Sequence, residues 1–257
     1  MTRRILLIAA FSMLGAVQVA EAANDTISTA WPALLGEKRL ESLASSGVGY
    51  FRYVLTGGRS YAAFCWPPFI ETIGSCTVEI RDFSDTSVGT SLGISAEPFP
   101  ASGSIAVFTP ANTVTSTVFF VRVTNNSAAT NYINVILIET TLAAPWYFTA
   151  PSAGYEAYVE IRNNTARTVN VTVRAYANTG GTTPTNSTTV TVPANGNTAV
   201  RVNGDLGITG SGSVTLTYDA MPGGVVANVT TLSATTGLSF DAPATPRMVW
   251  SINGYGQ

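Results

Sequence analysis

Along most of the chain, apolar and polar residues alternate with a period of two, the mark of strands with one buried face. Tyr155, Ala157, Val159 and Ile161 share a face opposite Glu156, Tyr158, Glu160 and Arg162. Val169, Val171, Val173 and Ala175 likewise oppose Asn170, Thr172 and Arg174, and Val190, Val192, Val200, Val202, Val214, Leu216 and Tyr218 continue the inward set. Turn residues lie between these runs: Asn163-Asn164, Gly180-Gly181, Pro193-Ala194-Asn195-Gly196, Gly210-Ser211-Gly212 and Pro222-Gly223-Gly224. About seven short strands with no helix between them predict an antiparallel sandwich, because a parallel sheet needs crossover helices.

The earlier half reads in the same way. From Val48, the runs VGYFRYVLT, SYAAFCW, CTVEIRD, SIAVFT, STVFFVRVT and NYINVILIE are all strand-like. Residues 116–124 are apolar on both faces, which predicts a central strand. Residues 34–44 (LLGEKRLESLA) have the one helical pattern after the first 22 positions. Residues 141–154 interrupt the strands with Pro145, Pro151, Gly154 and the rings of Trp146, Tyr147 and Phe148, and mark a domain junction. Those three rings read equally well as the next domain's first strand. The predicted fold is all-β: two tandem antiparallel β-sandwich domains, Ig-like or jelly-roll-like, over 23–142 and 143–242, with a tail over 243–257. No sequence repeat links the halves, so they read as two different β domains.

The first 22 residues stand apart. Arg3 and Arg4 precede an apolar run from Ile5 to Val19, and Ala20-Glu21-Ala22 has the small-x-small form of a cleavage site. The run is shorter than the roughly 20 residues of a membrane span. No cysteine follows the cleavage site, which argues against a lipid anchor. The expectation is a cleaved signal peptide, an exported chain without an integral membrane segment, and a secreted or periplasmic location. Removing 1–22 leaves 11 basic and 14 acidic side chains, a net charge of −3. With charged residues at 11% and no basic stripe, nucleic acid is a poor partner.

Export changes the meaning of the two cysteines. In an oxidising compartment, Cys65 and Cys76 are expected to pair, stabilising the fold by about 3 kcal/mol in the chain-entropy model. A redox pair wants C-x-x-C, and zinc wants further Cys or His ligands. The chain has no histidine, which removes Ser-His-Asp and Cys-His catalysis as well. Glu156 and Glu160 share a strand face roughly 13 Å apart, too far for a glycosidase pair. A Ser-Lys dyad would rest on Lys38 alone. The chain therefore reads as non-catalytic.

Three weaker signals remain. Asp82-Phe83-Ser84-Asp85 reads first as an Asx-type turn, and second as part of a calcium site through Asp82 and Asp85. Tyr61, Phe64, Trp66 and Phe69 flank the cysteine loop; rings there usually cap a core, and the second reading is sugar contact by Tyr61, Trp66 and Phe69. Five Asn-x-Ser/Thr sequons in the β region, at Asn125, Asn163, Asn170, Asn186 and Asn228, follow from the richness in Asn and Thr.

The stretches Tyr50-Phe51-Arg52-Tyr53-Val54-Leu55-Thr56-Gly57-Gly58-Arg59-Ser60-Tyr61, Val118-Phe119-Phe120-Val121-Arg122-Val123 and Tyr132-Ile133-Asn134-Val135 make the first half resemble the pre-peptidase C-terminal (PPC-like) β-sandwich of bacterial exported proteins. That resemblance implies an accessory, non-catalytic module, sometimes binding calcium or polysaccharide. A disulfide loop stands where that family has Asp- and Gly-rich turns. The second half, through 212–218 and 231–240, looks like an uncharacterised sandwich domain of bacterial exported proteins, a likeness that carries no chemistry. The functional expectation is a structural, adhesive or protein-interaction role at the cell surface or in the periplasm, with self-association through polar strand edges. Carbohydrate binding through the rings near the disulfide is the alternative.

Overall fold

The computed structural model describes residues 24–68, 76–92, 103–113, 115–179 and 183–247. The expected signal peptide over 1–22, Phe69, and Met248 to Trp250 of the tail lie outside the described residues. The chain is all-β. Its strands are β1 (Trp31–Pro32), β2 (Arg39–Leu43), β3 (Val48–Leu55), β4 (Tyr61–Trp66), β5 (Cys76–Arg81), β6 (Thr90–Leu92), β7 (Ser104–Phe108), β8 (Thr117–Asn125) and β9 (Asn131–Glu139). The second half continues with β10 (Leu142–Thr149), β11 (Tyr155–Asn163), β12 (Val169–Ala177), β13 (Asn186–Val192), β14 (Asn197–Arg201), β15 (Gly210–Tyr218), β16 (Val225–Ser233) and β17 (Ser239–Pro246).

Two sheets form the first half, ordered β1-β3-β8-β5 and β2-β9-β4-β7-β6. All their pairs are antiparallel except β1 with β3. Phe51, Tyr53 and Leu55 of β3 meet Tyr61, Ala63 and Cys65 of β4 in the core between them. β8 is central, as its two apolar faces predict. The outer face of the five-stranded sheet is apolar too: Ala62, Phe64, Ile105, Val107, Ile136 and Ile138 are buried there with Met221 of the second half. The second half is one eight-stranded sheet, β13-β12-β15-β10-β17-β16-β11-β14, wrapped around its own core of Tyr147, Val159, Val171, Val200, Leu216 and their neighbours.

One sequence expectation is corrected. Residues 34–44 are not helical, since Arg39–Leu43 is β2, antiparallel to β9. Its residues suit a helix individually, but pairing with β9 and burial of Glu41 and Leu43 override that weak preference. In the stretch 141–154, read as a domain junction or as the start of the next domain's first strand, most residues form β10. Thr140 and Thr141 alone join β9 to β10, and the Trp146-Tyr147-Phe148 rings belong to β10.

The expectation of two unrelated halves also fails, because they share one topology in permuted order. Substituting β7-β8-β9-β2-β3-β4-β5-β6 for β10 to β17 reproduces both sheets. The order β13-β12-β15-β10-β17 answers to β2-β9-β4-β7-β6, and β16-β11-β14 answers to β5-β8-β3. The corners match residue by residue. Asn125 ends β8, and its side-chain amide donates to the carbonyls of Leu43, Ala44 and Ala129 at 2.8–2.9 Å. Asn163 ends β11 and donates to those of Val192, Pro193 and Arg167 at 3.2, 2.9 and 2.7 Å. Their backbone N–H groups donate to Gly47 and Gly196, each at 2.9 Å. Before each of these glycines a residue adopts positive φ, Ser46 at 57° and Asn195 at 53°. Both asparagines are fully buried, so neither sequon presents its amide to a glycosylating enzyme.

The halves are joined tightly. Thr140 donates to the Ser60 carbonyl at 2.8 Å, and Ser60 N–H to the Thr141 hydroxyl at 3.0 Å. The Glu139 carboxylate, 5% exposed, lies 3.2 Å from Arg59 and 3.5 Å from Arg247.

Asn163→Ala strips one buried and two part-buried carbonyls of their donor and is expected to cost about 3 kcal/mol in urea unfolding, against well under 1 kcal/mol for Asn164→Ala on the surface. Burial pushes the phenols of Tyr53, Tyr61 and Tyr147 above their ordinary value of 10.0. Their protonated forms are the ones the fold favours, so the stability they contribute is whole below pH 10 and lost as pH rises through the raised values. Melting temperature is expected to fall above about pH 10, with the phenolate absorbance of these residues appearing only on unfolding.

Candidate functional site

The cysteine loop comes first, because the sequence placed ligand contact there. Cys65 at the end of β4 is bonded to Cys76 at the start of β5, with 6.2 Å between their Cα atoms. Since β4 and β5 belong to different sheets, the bond staples the two layers from inside. Tyr61 is not a ligand contact: it is 1% exposed, and its hydroxyl accepts from Thr56 N–H at 2.9 Å. Inward alternation on β4 gives Tyr61, Ala63 and Cys65 to the core, and Phe64 is buried on the opposite face. Trp66 is half-buried against that second cluster, and Phe69 lies outside the described residues. The described rings near the disulfide therefore pack inward and form no stacking face.

Asp82 and Asp85 serve the turn they sit in. Asp82 accepts from the N–H groups of Ser84 and Thr86, each at 2.9 Å, which is an Asx turn. Asp85 takes a φ of 57°, pairs with Arg81 at 3.1 Å and accepts from the Tyr50 hydroxyl at 3.3 Å. Their carboxylates are thus committed to different partners, and no group of three Asp, Glu, Cys or His ligands forms among the described residues. Glu156 is bound to Tyr158 at 2.5 Å and to Arg201, and these partners, Tyr158 first, hold its carboxyl below the ordinary value. Glu160, its neighbour on the strand face, is exposed. A groove of about 740 Å³ opens where the edges of the first-half sheets meet, lined by Trp31, Glu37, Lys38, Arg39 and Tyr132. Its charges are mixed, and Glu37 and Arg39 pair at 2.9 Å.

A cluster of rings gathers in the second half around Trp146 of β10, while Phe83 and Tyr132 of the first half are exposed singly. The register of β10 slips between Ala144 and Tyr147, a bulge at Pro145 and Trp146. The slip turns Tyr147 into the core at 0% exposure and leaves Trp146 outside at 41%. Trp146 lies nearly parallel to Phe148, with interplanar angle 7° and centroids 6.5 Å apart, and meets Phe240 edge-on at 6.4 Å. Phe148 in turn meets Tyr155 at 5.4 Å. Trp146 also borders a cleft of about 320 Å³, shared with Tyr176, Asn178, Ser211, Gly212 and Ser213. At Gly212 a Cβ would sit 1.9 Å from the Tyr176 carbonyl oxygen and 2.7 Å from the Tyr147 hydroxyl, so only glycine fits under the cleft.

Sequence reasoning gave Trp146 to the domain junction or to the next domain's first strand. The one signal that could have singled it out is proline inside a strand-like run, a mark of bulges.

A second open feature is an edge. Among the described residues no strand pairs with the outer side of β14, whereas its counterpart β3 is covered. There, β1 pairs with Phe51 and Arg52, Tyr50 N–H donates to the Asn24 carbonyl at 2.7 Å, and Ala33 N–H donates to Arg52 at 3.0 Å. Gly47 and Gly196 fix the equivalence, so Ala199 stands where Tyr50 stands. Val202 N–H donates to Ala157 on β11, and Arg201 N–H points the other way, to Asp205. By the same alternation, Asn197 and Ala199 turn their backbone groups outward.

Replacing both Cys65 and Cys76 with alanine is expected to lower unfolding free energy by about 3 kcal/mol, read from the urea midpoint. Calcium chloride is expected to leave the melting temperature unchanged, and a calcium-dependent rise would restore the Asp82–Asp85 site.

No protein-family model matches the chain, and no curated protein matches it at a significant level.

Proposed function

We propose that this chain is an exported, non-catalytic structural or adhesive protein that works through protein contact at the uncovered edge of β14. In this reading a cleaved signal peptide precedes two tandem antiparallel β-sandwich domains, over 23–142 and 143–242, and β17 carries the beginning of the 243–257 segment as a strand. The buried disulfide suits an oxidising compartment, and no helix among the described residues is long and apolar enough to cross a membrane. The resemblance of the first half to PPC-like modules points the same way, toward an accessory role.

The carrying observation is the contrast between two equivalent edges. Residues 24–33 shield β3, while β14 offers Asn197 and Ala199 with neither lysine, proline nor a bulge to deter pairing. The occupant proposed is β14 of a second copy, running antiparallel about a two-fold axis. Asp205 caps Arg201 on that side and limits the contact to a few residues. Pairing of β14 with its own copy about a two-fold axis is isologous, and closes a dimer rather than extending a fibre.

Ala199→Pro removes an outward N–H without touching the β11 ladder. Light scattering over a concentration series is expected to show a dimer for the native chain and a monomer of equal melting temperature for this variant. A native chain monomeric at every concentration, or a variant that still dimerises, would overturn the proposal.

A further inference from the structure

We infer that the Trp146 surface is a binding site for a neutral polysaccharide chain. It lies on a different half from the disulfide loop, and it is independent of the β14 edge.

Three observations fix the ligand chemistry. First, Trp146 is 41% exposed and is backed by Phe148, which lies within 7° of parallel to it with centroids 6.5 Å apart. Phe240, 50% exposed, stands almost perpendicular to Trp146 as a wall. Aromatic faces attract the C–H-rich faces of pyranose rings, and the half-exposed Trp146 ring stands beside the cleft where such a ring would lie. Second, the adjoining cleft supplies the polar half of sugar recognition. Tyr176, Asn178, Ser211 and Ser213 bring hydroxyl and amide groups to a volume of about 320 Å³, at the small end of ligand sites. Third, none of the described residues that line it is Asp, Glu, Lys or Arg. An anionic glycan or phosphorylated ligand would find no counter-charge, so the site selects for an uncharged chain.

The platform is pre-organised. Phe148 N–H donates to the Thr231 hydroxyl at 3.3 Å, and that hydroxyl donates to the Phe148 carbonyl at 3.4 Å, tying β10 to β16 behind the rings. The Tyr147 hydroxyl donates to the Tyr176 carbonyl at 3.4 Å beneath the cleft. Rings held this way lose little freedom on binding, which favours affinity from a small contact area.

Native affinity gels containing hydroxyethyl cellulose, mixed-linkage β-glucan or xylan test the inference, with polygalacturonate as the charged counterpart. The full chain is expected to be retarded by at least one neutral gel and not by polygalacturonate. Trp146→Ala is expected to weaken retardation roughly tenfold, the effect of losing one stacked ring, and Tyr176→Ala to weaken it through loss of a cleft-lining side chain. Trp146→Tyr keeps a stacking face and is expected to retain most of it. Phe83→Ala, at a ring 77% exposed on the other half, is expected to behave as the native chain. Ala199→Pro is expected to bind glycan normally, so failure of the edge proposal leaves this one standing. Retardation by polygalacturonate alone, by no gel, or equally by a folded Trp146→Ala variant would overturn the inference.

Discussion

Two buried asparagine amides hold the corners at which the chain passes from one sheet to its partner. A layered β fold must turn through the end of its own core, where backbone carbonyls lose both ladder partners and water. Asn125 and Asn163 answer three such carbonyls each, while their oxygens accept from Ser127 and Thr165. The corner then fixes the spacing of four strands at once: β2, β3, β8 and β9 in the first half, and β13, β14, β11 and β12 in the second. Strand alternation decides which side chains face inward, but the corners decide which strands face one another.

That shared corner makes the permutation intelligible. A chain can be rejoined elsewhere only if its ends already lie side by side. In the first half the first and last of the eight strands that have counterparts, β2 and β9, are hydrogen-bonded neighbours. In the second half the ends are β10 and β17, which pair at Leu142 with Pro246 and at Ala143 with Thr245. Each half is thus cut at a place where it remains intact. The permuted order also strands the N-terminal cover: residues 24–33 precede β2 and reach β3, whereas the strand before β13 is β12, already committed to the sheet.

Strand alternation was legible in the sequence, from Tyr155-Ala157-Val159-Ile161 to the doubly apolar β8, and cysteine spacing with export chemistry foretold Cys65–Cys76. Other features depended on information that no local pattern holds. Residues 39–43 pair with a strand some ninety positions away, and tertiary pairing outweighed their helical composition. Asn125-Asn126-Ser127-Ala128 and Asn163-Asn164-Thr165-Ala166 are visibly alike, but the strands around them come in a different order, so an in-line search for repeats misses the relation. Tyr61 and Trp146 exchanged roles for the same reason: one-residue slips decide which ring faces water, and the bulge in β10 is invisible until its partner β15 is placed.

The junction has a mechanical meaning. Leu142 enters the second half beside Pro246, which leaves it, and Glu139 stands between Arg59 and Arg247 at the same place. Tension between the first half and whatever follows Arg247 therefore acts on adjacent ladder ends. β17 would peel away one bond at a time instead of shearing as a block. The ion cluster is the first contact such a pull meets, and ionic strength sets how firmly it holds. Under load the molecule yields at its seam while the layers behind it stay closed.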